Sequence, residues 1–78
     1  MTLALDKLKP GQTATVLEVG GEPVLAQRLM ALGLVEGANV EFLRTAPLGD
    51  PIEIRVDGAI ALSLRAADAR AVSVSPNP

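Results

Sequence analysis

The stretch Ala46-Pro47-Leu48-Gly49-Asp50-Pro51-Ile52-Glu53-Ile54-Arg55-Val56 decides the fold class of this chain. It begins as a stiff turn and ends as a strictly alternating strand. Pro47 and Pro51 each restrict φ, and Gly49 is free to take positive φ, so the loop has few conformations open to it. From Ile52 onward the pattern has period two. Ile52, Ile54 and Val56 share one face, and Glu53, Arg55 and Asp57 share the other. A rigid loop feeding a half-buried antiparallel strand belongs to a small β domain.

The neighbouring segments extend the pattern on both sides. Asp57-Gly58 is a strong hairpin signal, and the run after it, 59–64, places Ile60, Leu62 and Leu64 on one face. Before the proline loop, residues 39–45 alternate, with Val40, Phe42 and Arg44 on one face and Glu41, Leu43 and Thr45 on the other. Residues 12–19 carry the β-branched set Thr13, Thr15, Val16 and Val19, which reads as a strand. Residues 70–75 alternate again through Val72 and Val74, after what reads as a single helical turn at 65–69. Residues 3–9 form a lead-in, closed by the turn Lys9-Pro10-Gly11.

One helix interrupts the strands. Pro23 suits a first helical turn, where its missing N–H is not needed, and Glu22 puts negative charge at the positive end of the dipole. Leu25, Leu29 and Leu32 fall at i, i+4 and i+7, one apolar stripe expected to meet the core. Gly33 is placed to end the helix, with Leu34 as its apolar follower. The expected architecture is mainly β: about five short antiparallel strands with an α-helix at about 23–32 inserted after the first. A small closed or nearly closed barrel is expected, because closure removes exposed strand edges. Residues 1–75 form one expected domain, and 76–78 a C-terminal tail that does not extend a strand.

Composition narrows function. Phe42 is the only aromatic residue, so the core must be aliphatic. Cysteine and histidine are absent, which excludes a disulfide framework, a zinc-cysteine site and any Ser/His/Asp or Cys/His catalytic arrangement. Nine acidic and seven basic residues leave a net charge of −2, without the bulk positive charge that drives nucleic-acid binding. The arginines at 28, 44, 55, 65 and 70 are scattered among carboxylates. Asp50, Glu53 and Asp57 match no cation-binding loop, and no Gly-rich phosphate loop occurs. No segment is long or apolar enough to span a bilayer, and the residues after Met1 do not read as a secretory signal. The sequence therefore points to a cytoplasmic protein with no catalytic, metal or cofactor site, no nucleic-acid partner and no membrane insertion of its own.

Several phrases, in order, resemble the FeoA family. They are Leu8-Lys9-Pro10-Gly11, then Arg28-Leu29-Met30-Ala31-Leu32-Gly33-Leu34 with Gly37 three residues on, then Ala46-Pro47-Leu48-Gly49-Asp50-Pro51-Ile52, and Leu62-Ser63-Leu64-Arg65 before a closing Val-x-Val. The chain departs from the family's usual pattern at Gln27-Arg28, where two basic residues are common, and at Ala59, where a Tyr is common. The resemblance implies an SH3-like β-barrel acting as a cytosolic accessory component of bacterial ferrous-iron uptake. Its implied partner is FeoB, a membrane transporter with a cytosolic GTP-binding domain, whose assembly or GTPase activity it would modulate.

The helix end and the proline loop form the candidate partner surface: Arg28, Leu32, Gly33, Pro47, Leu48, Gly49 and Asp50. A preorganised loop loses little entropy on binding. Leu48 either stands out as an apolar anchor or folds back onto the core. One alternative is a GTPase-activating arginine finger, with Arg28, Arg44, Arg55 and Arg65 all eligible. The other is an SH3-like protein-binding module unrelated to iron. The oligomeric state stays open.

Overall fold

One antiparallel sheet of six strands carries the fold in the computed structural model, which describes residues 1–78. In chain order the elements are β1 (Leu3–Ala4), β2 (Thr13–Val19), α1 (Pro23–Ala31), β3 (Asn39–Thr45), β4 (Ile52–Val56), β5 (Ala61–Leu64), α2 (Ala66–Ala69) and β6 (Val72–Pro76). The strands lie side by side as β1-β6-β2-β3-β4-β5. Strands β2 to β5 form a meander, and β6 returns to fill the place between β1 and β2. The sixth strand, β1, lies in the segment expected to be a lead-in. It is only two residues long, too short to show alternation, and exists because Leu3 and Ala4 pair with Val74 and Ser73.

The sheet curls but β1 and β5 do not pair, so the barrel stays open along one seam. A 3₁₀ turn at Leu5–Lys7 packs against α2 there, with Leu5 and Ala69 both fully buried. Arg70 adds an ion pair to Asp6 at 3.4 Å.

The core is sixteen buried side chains, all apolar, with Phe42 the largest. Ile52, Ile54 and Val56 point into it, as the alternation requires. Burying Phe42 contributes on the order of 2–3 kcal/mol. Where alternation misleads, a specific irregularity is responsible. A register shift between Phe42 and Arg44 makes Leu43 an extra residue in β3. Arg44 therefore leaves the face of Phe42 and pairs with Glu53 on the outside, Nε to Oε1 at 3.0 Å. Ile60 does not share the face of Leu62 and Leu64. It sits in the hairpin loop before β5 and is 87% exposed.

Helix α1 ends as its sequence requires. Gly33 takes φ +100, its N–H donates to the Met30 carbonyl at 2.9 Å, and the Leu34 N–H donates to the Leu29 carbonyl at 3.2 Å. This reversal drops Leu34 into the core. The expected stripe is buried only in part. Leu29 is in the core, Leu25 packs against it, and Leu32 stays 46% exposed because the reversal hands the buried place to Leu34.

Strand β6 takes in Pro76, opposite Ala14, one residue into the expected tail. Proline is tolerated there because β1 has already ended on that side, so the missing N–H has no partner to lose. Beyond it, the Asn77 N–H donates to the Thr13 carbonyl, and its side-chain amide donates to Thr13 Oγ1 and Asn39 Oδ1.

Candidate functional site

The loop between β3 and β4 is closed by the Ala46 N–H donating to the Pro51 carbonyl and the Gly49 N–H donating to the Ala46 carbonyl, both at 2.9 Å. Pro47, Leu48 and Gly49 form a single 3₁₀-like turn. Gly49 has φ +85, as its freedom allows, but Leu48 also has positive φ, at +73. Positive φ is uncommon for a residue with a Cβ and costs on the order of 1 kcal/mol. Leu48 gains no packing in return: it is 104% exposed. The alternative of a Leu48 folded onto the core is thus settled in favour of exposure.

Asp50 has a structural duty. Its Oδ1 accepts a hydrogen bond from the Ala66 N–H at 3.0 Å and so supplies a side-chain cap to α2, which Arg65 at the cap position does not. This bond ties the proline loop to the segment that follows β5. The peptide bond before Pro51 is cis.

Three recesses surround this junction, and Ser63 lines all of them. One of about 420 Å³ lies beneath the loop among Arg44, Pro47, Pro51 and Glu53. A second, also about 420 Å³, runs over Asp50, Pro51, Leu64 and Arg65. The third, about 180 Å³, lies between α1 and β5 and is floored by Leu25, Leu29 and Leu64. Arg28, Leu32, Arg65 and Asp68 surround it. The two halves of the candidate surface, far apart in sequence, are thus bridged by β5.

Arg28 and Leu32 line the α1 recess, Pro47 and Asp50 line the loop recesses, and Leu48 stands at the tip. Gly33 and Gly49 line none of them and act through backbone conformation. Ser63 and Arg65 are central, yet the expected partner surface omits both, and the sequence singles out Arg65 only as an eligible arginine finger. They sit in the run Leu62-Ser63-Leu64-Arg65, but nothing in strand alternation says which strand will end a sheet.

The arginines divide. Arg44, Arg55 and Arg70 are ion-paired, with Glu53, Glu41 and Asp6. Arg28 and Arg65 have no carboxylate within 4.0 Å. No three acidic side chains converge to hold a metal ion, and no helix is long and apolar enough to cross a membrane.

Comparison with known proteins agrees with this fold. A family model, the FeoA domain, matches residues 3–76. The solution structure of FeoA from Chlorobium tepidum is 44% identical, with a TM-score of 0.86 over 95% of this chain and 70% of that one. FeoA from Stenotrophomonas maltophilia, a procaryotic SH3 domain protein crystallised with zinc, is 32% identical, with a TM-score of 0.80 over 96% of this chain and 89% of that one. A manganese-dependent transcriptional repressor shares the fold alone, at 18% identity and a TM-score of 0.88, over 97% of this chain and 37% of that one. With the model spanning nearly every residue and a relative at 44% identity, this chain belongs to the FeoA family of SH3-like domains associated with ferrous-iron transport.

Proposed function

We propose that the chain is a non-enzymatic accessory protein of ferrous-iron uptake that works in the cytoplasm by docking on a FeoB-type transporter. There it modulates the transporter's assembly or GTPase activity. The observation that carries this reading is Leu48, fully exposed at positive φ on the tip of a two-proline loop. A strained, apolar and solvent-facing side chain lowers the stability of the free domain, and such features concentrate where a surface meets a partner. The docking surface is Arg28, Leu32, Gly33, Pro47, Leu48, Gly49 and Asp50, continued across β5.

The test is an amide NMR titration of the labelled protein with the cytosolic GTP-binding domain of the cognate transporter. Shifts clustered on 28–34, 46–51 and 61–65 are expected. Shifts confined to the opposite side of the barrel, around β1 and β6, would reject the surface. The alternative of an arginine finger is favoured by one observation, that Arg28 and Arg65 are free of ion pairs.

A further inference from the structure

Strand β5 ends the sheet, and its outer edge is open. The Asp57 N–H donates to the Asn39 carbonyl at 2.7 Å, so Asp57, and by alternation Arg55 and Glu53, turn their backbone groups toward β3. Ile52 and Ile54 then bond toward β5, to Leu64 and Leu62. This leaves the N–H and C=O of Ser63 facing away from β4, at the point where the three recesses meet. An open strand edge is a template for another extended chain.

On the α1 side of that edge the local charge is opposite to the charge of the protein. The chain carries a net −2, yet the α1–β5 recess gathers both arginines that lack an ion pair, against the single carboxylate of Asp68. Its floor is aliphatic. Stacking of nucleic-acid bases needs an exposed aromatic, and the only one, Phe42, is buried.

Resting on the docking function proposed above, we infer that the α1–β5 recess receives an extended acidic segment of the partner protein. The segment's backbone pairs with Ser63, an aliphatic side chain enters over Leu25 and Leu29, and flanking carboxylates meet Arg28 and Arg65. The main chain then supplies affinity, and the two arginines supply the preference for acidic sequence.

Selection from a random heptapeptide phage library against the full chain tests this. The expected winners combine an aliphatic residue with acidic neighbours. A synthetic winner should bind about tenfold or more weaker to Arg28→Glu/Arg65→Glu, a loss that shrinks with added salt. Ser63→Pro, which removes an N–H from the open edge, should also weaken binding, with thermal melts confirming that each variant folds. Enrichment of basic or charge-neutral peptides, or of none, overturns the inference. So does binding of a fluorescent single-stranded oligonucleotide in place of peptide. The transporter's cytosolic domain is measured in parallel. Acidic peptides that bind while that domain does not would reject the transporter and keep the site. A domain that binds the unaltered chain and Arg28→Glu/Arg65→Glu equally would keep the transporter and reject the site.

Discussion

The Asp50 carboxylate accepts the Ala66 N–H at 3.0 Å, sixteen residues further along the chain. One hydrogen bond thereby fixes the exit of the proline loop, the start of α2 and the end of β5. Asp50→Ala should lower stability by about 1 kcal/mol, the usual worth of a helix cap, and Asp50→Asn by less. Urea denaturation of the two variants measures this. The Asp50→Ala protein should also show altered amide shifts at Ala66 and the residues after it, which a purely solvated Asp50 would not produce.

Leu48 offers the opposite trade. Asn tolerates positive φ better than Leu, and no buried contact is lost on replacement. Leu48→Asn is therefore expected to leave thermal stability unchanged or raise it by up to about 1 kcal/mol. Under the docking function it weakens binding to the transporter's cytosolic domain. Differential scanning calorimetry and a binding titration on the same sample separate the two effects.

Phe42 occupies the centre of an otherwise aliphatic core at 1% exposure. Phe42→Ala should cost about 3–5 kcal/mol. A domain of this size has roughly 4–12 kcal/mol in total. The variant should be largely unfolded or melt far lower by circular dichroism, whereas Phe42→Leu should remain folded.

Gly33 combines positive φ with close packing. A Cβ there would lie 3.3 Å from Val56 Cγ1. Gly33→Ala is expected to cost about 1–2 kcal/mol from φ strain, with any crowding added. Adding Val56→Ala relieves only the crowding, so a double-mutant cycle by chemical denaturation isolates that part.

The accessory role predicts that no single arginine replacement alters the partner's GTP turnover by the ~10³–10⁵-fold that an arginine finger supplies. Arg44→Ala and Arg55→Ala should be silent, since both side chains are held by Glu53 and Glu41. A collapse of turnover with Arg28→Ala or Arg65→Ala, with binding retained, would establish the finger instead.

Much of the fold was legible because its signals are local. The period-two run at 52–56, the Pro23 start, the Gly33 stop with Leu34 behind it and the Asp57-Gly58 turn each depend on a few adjacent residues. The misplacements share a different origin. Arg44 changed face because of a bulge that only the register with β4 reveals. Leu32 stayed half-exposed because Leu34 took the core position. β1 exists only through its pairing with β6. The candidate site was half legible: Leu48 and the proline loop stand out in the sequence, but Ser63 acquires its importance from lying on β5 at the edge of the sheet, and Arg65 from the turn into α2 just beyond it.

Residue order and composition alone established a small, mainly β, aliphatic-cored domain without histidine or cysteine chemistry, with its helix and tight turns in place. Those properties follow from backbone preference and side-chain inventory, which act over a few residues or over the whole chain at once. The tertiary structure decided which edge of the sheet stays open, which arginines find carboxylates, and that the proline loop and α1 border one continuous surface across β5. These depend on contacts between residues distant in the chain, and no local pattern encodes where those residues meet.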